Sequence, residues 1–257
     1  MGKFVAGGAA HPARVASLIV SDIPGDAVAL VASGPTVPDP ATLETARSVI
    51  ATYGLDLPPA VLAHLARPEA AAPRPDDPAF ARDTAQIISS ASVSLEAAQE
   101  AARQRGWEAV VLSDAIEGEA RDVARVHAAI ARQVAARDRP FRRPVILLSG
   151  GETTVTVRGR GKGGRNAEFL LAFALAIEGV PGVHALAADT DGIDGSEDNA
   201  GGFADGGTVG RVRAAGADPR ALLSGNDAWT ALHLAGDLLV TGPTGTNVND
   251  FRAILIA

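Results

Sequence analysis

The 257-residue sequence predicts an α/β protein, with a mainly parallel sheet and crossover helices. Three observations carry that expectation. Short apolar runs alternate with stretches of helical spacing between residues 85 and 148. A proline-rich stretch, 68–78, separates that region from a shorter one before it. Hydrophobic residues make up 47% of the chain and charged residues 21%, enough apolar material for a sizeable core and too much for wholesale disorder.

Residues 15–20 are mostly apolar and enter the polar turn Ser21-Asp22-Ile23-Pro24-Gly25-Asp26, as a buried strand delivering a loop does. A second short element, 27–32, ends at Ser33-Gly34-Pro35-Thr36. Residues 42–53 and 58–65 carry Ala and Leu at helical spacing with a proline at or just before each start, which predicts two short helices. Four prolines and no large apolar residue fall within 68–78, so this stretch reads as a linker. The expected organisation is a partial N-terminal α/β domain, 1–67, and a C-terminal Rossmann-like α/β domain, 79–257.

After the linker, 85–89, 109–112 and 145–148 read as strands separated by helices at 95–105 and 117–137. Strands alternating with helices favour parallel pairing. Twenty of the 28 glycines lie from residue 150 onward, where backbone surface matters more than side chains. There, 153–158 alternates Thr and Val as a strand does, 166–177 reads as an apolar helix, and 184–188, 237–240 and 251–256 read as strands.

Lys and Arg number 23 against 30 Asp and Glu, and the net charge of −7 gives no electrostatic support for binding nucleic acid or an anionic membrane. The absence of cysteine excludes disulfides and thiolate chemistry. The longest purely apolar run, 169–177, has nine residues, against about 20 for a membrane span. Residues 1–6 show no signal pattern, so a cytoplasmic location is expected. The five histidines (His11, His64, His127, His184, His233) lack zinc-hydrolase spacing or a serine-triad context. Trp107 and Trp229 are isolated and read as packing residues.

Four loops carry candidate chemistry. Arg158-Gly159-Arg160-Gly161-Lys162-Gly163-Gly164-Arg165-Asn166 places four cations among four glycines before an expected helix, a pattern suited to cradling a phosphate. A solvated hairpin is the plainer alternative. Gly159, Gly161 and Gly164 also match G-x-G-x-x-G with Asp189 25 residues on, so a dinucleotide site is a rival. Against it stand the half-exposed preceding strand and the surplus of cations.

Ser149-Gly150-Gly151-Glu152-Thr153-Thr154 follows an apolar strand, at the sheet end where open α/β proteins bind ligands. Asp189-Thr190-Asp191-Gly192-Ile193-Asp194-Gly195 offers carboxylates suited to Mg²⁺ shared with phosphates. Its likeness to a calcium loop fails because the twelfth position is Ala200 rather than Glu. Thr241-Gly242-Pro243-Thr244-Gly245-Thr246-Asn247 repeats the pattern of hydroxyls and glycines after a strand.

Taken in order, these loops resemble the class II glycerate kinases, also known as hydroxypyruvate reductase of the tartrate pathway, whose C-terminal MOFRL region would here span about 145–257. The motifs at 21–26 and 33–39 match that family's central region. The resemblance implies ATP-dependent phosphorylation of D-glycerate to 2-phosphoglycerate with Mg²⁺, in a cleft between two α/β domains. It implies Arg165 and Asp191 as catalytic residues, and Asp189 and Asp191 as metal ligands. Nucleotide and phosphate contacts are expected from Ser149, Gly150, Gly151, Glu152, Thr153, Lys162, Gly163, Gly164, Asn166, Thr244, Gly245, Thr246 and Asn247. Asp22, Ser33 and Thr36 are expected to bind the substrate, and a homodimer is compatible with it.

Two departures from the family pattern lead to an expectation of impaired activity. The family's additional N-terminal stretch, with its lysine, does not precede the strand at 15–20, and Ala167 and Ala91 stand where Gln and Asn are usual. Two other functions stay open: an NAD(P)H-dependent reductase of hydroxypyruvate, and a non-catalytic nucleotide-binding remnant.

Overall fold

The computed structural model describes residues 13–257. The readings made on residues 1–6 and on His11 lie outside the described residues. The described residues form two compact units: one comprises residues 13–21 together with Asp26–Ile88, the other Asp22–Gly25 together with Ser89–Ala257.

In the first unit, β1 (Ala16–Val20) pairs with β2 (Thr84–Ser89) in a two-stranded sheet. Helix α1 (Leu43–Tyr53) starts where the Thr42 hydroxyl accepts the Thr45 N–H, and stops at Gly54, whose φ of 58° is easy only for glycine. Helix α2 (Pro59–Leu65) has proline in its first turn, and Arg47 of α1 donates to the Leu65 carbonyl at 2.6 Å. Residues 27–32 form turns leading into a 3₁₀ turn at Val31–Ser33, with Ala32, Ser33 and Gly34 all at positive φ. The proline-rich residues 68–78 lie within this unit and hold a second short 3₁₀ turn, Pro68–Ala70, and the start of a third, Pro78–Phe80.

The second unit holds, in order, α3 (Ala91–Gln104), β3 (Glu108–Ser113), β4 (Gly118–Glu119), α4 (Ala120–Arg137), β5 (Val145–Gly151), β6 (Thr153–Thr154), α5 (Arg165–Ala176), β7 (Val183–Asp189), β8 (Gly201–Asp205), α6 (Thr208–Ala214), α7 (Pro219–Ser224), α8 (Ala228–Ala235), β9 (Leu238–Leu239) and β10 (Asp250–Ile256). Six strands make one sheet in the order β3-β5-β10-β7-β8-β9.

The α/β class holds. The pairings make β3, β5, β7 and β9 run in one direction, as crossover helices α4 and α5 require, but among the six strands of this sheet only β3 and β5 are parallel neighbours. The last strand inserts between β5 and β7 in the opposite sense, and β8 returns antiparallel beside β7. The sheet is therefore mixed where a mainly parallel one was expected. The strand expected at 153–158 is confined to Thr153–Thr154, which pairs with Gly118–Glu119 and so delays the start of α4 to Ala120.

The core lies around α5, which packs on α4, α8, β7 and β8. Ala120, Ala124, Ala128 and Ala131 line one face of α4 at a spacing of three to four residues, and their small side chains let the two helices close. Phe169 and Phe173 fill the space, each contributing roughly 1.5–3 kcal/mol by burial. Among the described residues no helix is long and apolar enough to cross a membrane.

Candidate active site

Strand register assembles this site. Asp250, the first residue of β10, lies opposite Gly151 at the end of β5 and opposite Asp189 at the end of β7. The first residue of α5, Arg165, reaches the same edge. Its Nε donates to Asp250 Oδ1 at 2.7 Å, its Nη2 to Asp189 Oδ2 at 2.7 Å, and its Nη1 to Glu152 Oε1 at 3.1 Å. Asp250 also accepts from Asn166 Nδ2 at 2.7 Å, from Thr153 through its N–H and hydroxyl at 3.3 Å, and from Arg252 Nη2 at 2.6 Å. Arg252 is fully buried, with its guanidinium 5.3 Å from the Phe169 ring centre.

Two carboxyl groups are pushed up to about 6. For Asp189 burial is the main cause, reinforced by Asp191 and Asp250 and opposed by the Asp191 N–H and by Arg165. For Asp194 burial again dominates, against the N–H groups of Asn166 and Ala167 that it accepts at 2.9 and 2.7 Å. Burial opposes the Arg165 charge, but Asp250, then Asp189 and Glu152, outweigh it and leave that pKa raised. Burial lowers the pKa of Arg252.

The glycine-rich loop turns its amides inward. Arg158 and Gly159 donate to Asn226 Oδ1, Gly161 to the Gly225 carbonyl, and Lys162 to Asp227 Oδ1. Asp194 takes two amides of the first turn of α5 in the same way. The glycines are needed for this close packing: a Cβ on Gly159 would lie 2.1 Å from the Gly225 oxygen, and one on Gly161 2.4 Å from Asp227 Cβ. The cradle of backbone N–H groups expected at 158–166 is thus committed largely to internal acceptors, and the charge that faces outward comes from side chains.

These elements border a cleft of about 450 Å³. Of the residues expected at a ligand site, Glu152, Thr153, Gly163, Gly164, Arg165 and Asp189 line it. Ser149, Gly150 and Asn166 are buried supports behind it. The His127 Nδ1–H donates to the Val123 carbonyl, so its Nε2 accepts the Ser149 hydroxyl at 3.1 Å; burial lowers the imidazole pKa and keeps it neutral. Gly151 takes φ 118° with the Ile116 amide 2.2 Å from where a Cβ would stand.

Lys162 extends over Trp229 and pairs with Glu197 at 3.4 Å. Thr244 fastens its loop to the acidic turn: its N–H donates to the Asp191 carbonyl and its hydroxyl to the Thr190 carbonyl. Thr246 N–H and Asn247 Oδ1 make local bonds, and Gly245 supplies a positive φ of 79°. Asp22 is exposed, and its carbonyl accepts from Asn249 Nδ2 at 2.8 Å. Ser33 and Thr36 belong to the first unit, where Ser33 is exposed and Thr36 half-buried.

Asp250, Arg252, Glu168 and Asn226 escaped the sequence reading, and Asp194 was seen only as part of a turn. A signal for the first two exists: a charged pair at i and i+2 in an otherwise apolar strand must share one face, here the buried one.

Of Asp189 and Asp191, expected to hold Mg²⁺, Asp189 lines the cleft and Asp191 does not. Among the described residues no group of three or more His, Cys, Asp or Glu converges on one point. Two carboxylates on one turn fit an ion that brings water and phosphate ligands with it, and do not fit an all-protein cage.

The MOFRL family model matches residues 145–250, and that of a domain of unknown function, DUF4147, matches residues 2–66. A protein of Agrobacterium vitis bearing the name hydroxypyruvate reductase is 48% identical over 250 residues, covering 96% of this chain and 56% of that one. D-glycerate 2-kinase of Thermotoga maritima is 39% identical over 253 residues, covering 95% and 57%. Glycerate kinase of Macaca fascicularis is 32% identical over 294 residues, covering 96% and 74%. The crystal structure of a glycerate kinase from Thermotoga maritima superposes with a TM-score of 0.90 at 38% identity, over 100% of this chain and 60% of that one. The chain thus spans a little over half the length of the first two relatives.

Proposed function

The chain belongs to the MOFRL glycerate kinase family, and from that premise we propose that its site transfers a phosphoryl group from ATP to the 2-hydroxyl of D-glycerate, giving 2-phosphoglycerate. The observation that carries this reading is Arg165, fixed at the cleft by three carboxylates. A guanidinium has five N–H groups; three are used here, and one on each Nη is left to meet a phosphoryl oxygen. Phosphoryl transfer asks the protein for positioning and charge neutralisation more than for a nucleophile, and a clamped cation supplies both.

In this reading Asp189 and Asp191 hold Mg²⁺, which when bound neutralises charge on the phosphates. Asp189 also holds Arg165, so metal and arginine stay in register. Glu152, Thr153, Gly163 and Gly164 border the phosphates, Lys162 adds a further cation, and the 244–247 loop stiffens the acidic turn. Asp22, in the same unit as the cleft, is assigned to D-glycerate.

A coupled ADP-release assay on the 257-residue chain with MgATP tests the reading. ADP release that depends on D-glycerate supports it. MgATP binding without such release would reduce the site to nucleotide binding. Titration calorimetry adds a check on the metal: Mg²⁺ is expected to bind only with nucleotide, and tight binding to the protein alone would refute that assignment.

Reduction of hydroxypyruvate is the second reading, favoured by the name of the 48%-identical relative. Against it, the amides of the G-x-G-x-x-G loop that a dinucleotide pyrophosphate would need are occupied by Asn226, Gly225 and Asp227. Oxidation of NADH with hydroxypyruvate in the absence of ATP would favour the reductase.

A further inference from the structure

We infer that a second pocket, between α4 and α7, is a binding site for a small multivalent oxyanion, and that its occupancy is transmitted to the glycine-rich loop through Arg121 and Glu168. The pocket has a volume of about 270 Å³. Arg121 and Arg125 of α4 and Arg220 of α7 line it, no carboxylate does, and its floor is apolar, with Leu175 and Leu223. Three guanidinium groups around an apolar floor suit the phosphate or carboxylate groups of a small ligand, because Arg125 and Arg220 offer N–H donors and Arg121 adds a third positive charge.

The surrounding acids leave this capacity in place. Asp122 pairs with Arg125 at 2.6 Å, but both side chains are more than 60% exposed, and such a pair yields readily to a multivalent anion. Asp218 spends an oxygen on the Arg220 amide as a helix cap. Among the described residues Arg220 has no carboxylate partner for its guanidinium.

Arg121 differs from the other two, for its side chain is 17% exposed, its Nε donates to Glu168 Oε1 at 2.8 Å, its Nη2 lies 2.6 Å from the same oxygen and donates to the Leu223 carbonyl at 3.4 Å, and Glu119 stands 3.9 Å from its Nε. Glu168 is buried and borders the catalytic cleft from the other side. Its Oε2 accepts from Asn226 Nδ2 at 3.0 Å, and Asn226 Oδ1 holds the amides of Arg158 and Gly159. An anion that draws Arg121 outward weakens the charge balance of a buried carboxylate, so Glu168 and then Asn226 must readjust, and the loop loosens. The ligand class is fixed by the pocket and the readout by this chain of bonds; neither depends on the kinase reading.

The test is calorimetric titration of the full chain with inorganic phosphate and, separately, with citrate. Arg165→Ala removes the main cation of the catalytic cleft, and Arg125→Ala/Arg220→Ala removes two exposed arginines of the second pocket without opening the core. The expected result is saturable binding that survives Arg165→Ala and weakens by at least about tenfold in the double variant. Hydrogen exchange at the amides of residues 158–162 is expected to speed up with saturating anion in the parent and to stay unchanged in the double variant. Absence of saturable binding, or binding lost with Arg165 and kept in the double variant, overturns the site. Binding at the pocket with no change in exchange overturns the coupling.

Discussion

Arg165 Nε and Asp250 Oδ1 are joined at 2.7 Å, the carboxylate fully buried and the guanidinium 23% exposed. The cation that faces the cleft is therefore anchored from inside the protein. Asp250 can serve as that anchor because Arg252, itself fully buried, holds its other oxygen at 2.6 Å, while Asn166 and Thr153 complete its shell. Two buried or half-buried cations share one carboxylate, and the geometry leaves Arg165 little freedom to reorient. Such pre-placement spares a charged site reorganisation when charge develops on a substrate.

Arg165→Ala is expected to weaken MgATP binding or turnover by about 2–4 kcal/mol, the scale of losing a charged contact in a water-poor phosphoryl site. Arg165→Lys is expected to recover little, because one ammonium group cannot span Asp250, Asp189 and Glu152 together. Calorimetry with MgATP and the ADP-release assay read both. A lysine variant as active as the parent would show that charge alone, without the fork, is what the site requires.

Asp250→Asn takes from buried Arg252 the carboxylate to which it is hydrogen-bonded, so a loss of stability of about 3–5 kcal/mol is expected, by urea denaturation. Adding Arg252→Met removes the stranded cation and is expected to restore part of that stability. Turnover should stay low in both, since Arg165 has lost its anchor in each. A double variant no more stable than the single one would mean that Arg252 is not held chiefly by Asp250.

Much of this organisation was legible in the sequence because it rests on local signals. Proline at or before a helix start, helical spacing of Ala and Leu, and short apolar runs ending in polar or glycine turns place α1, α2, β3, β5, α5 and β7 to within a few residues. Residues 196–236 gave no comparable signal, since α6, α7 and β8 are only five to seven residues long and glycines interrupt their periods. The insertion of β10 between β5 and β7 was not legible at all, because strand order is a long-range choice that a period-2 pattern does not encode. The same holds for the site. Loops rich in glycine and hydroxyls could be singled out, but that Asn226 and Asp227 consume the amides of residues 158–162 depends on a contact more than 60 residues away.

The glycines of the site loop and of the surface should respond to substitution in opposite ways. Gly161→Ala forces a Cβ to within 2.4 Å of Asp227, and is expected to cost about 1–3 kcal/mol as overpacking does, with faster exchange in the loop. Gly210 lies exposed inside α6, and a methyl group placed on its Cα would meet nothing within 4 Å, so Gly210→Ala is expected to stabilise by about 0.4–1 kcal/mol. Thermal denaturation of both variants checks the pair. Equal effects would sink the account of Gly161 as a packing glycine.

Asp194 ties stability to pH. Burial pushes its carboxyl group up to about 6 from an ordinary value of 3.8, against the two backbone N–H groups that favour its charged form. The folded state therefore holds this proton more tightly than the unfolded chain does. Above about pH 6 both states are ionised and the buried charge is a cost; as pH falls from about 6 towards 4 the folded state protonates first, and Asp194 contributes increasing stability. A tenfold difference in proton affinity between folded and unfolded chains is worth about 1.4 kcal/mol, so the swing across this window is expected to be about 1–3 kcal/mol. Asp194→Asn cannot titrate, and because Asp189 and the other carboxylates remain in the variant, the parent-minus-variant difference isolates this group. Urea denaturation of both proteins at pH 4, 5, 6 and 7 is expected to give a difference that favours the parent progressively more at the acid end. At pH 4 to 5 Asn166 and Ala167 would then share their acceptor with a protonated carboxyl, and the first turn of α5, with Arg165 at its head, should be looser in exchange even as the whole protein is more stable. A stability difference that stays flat from pH 4 to 7 would show that the N–H groups hold Asp194 ionised throughout and that burial is not the dominant influence on it.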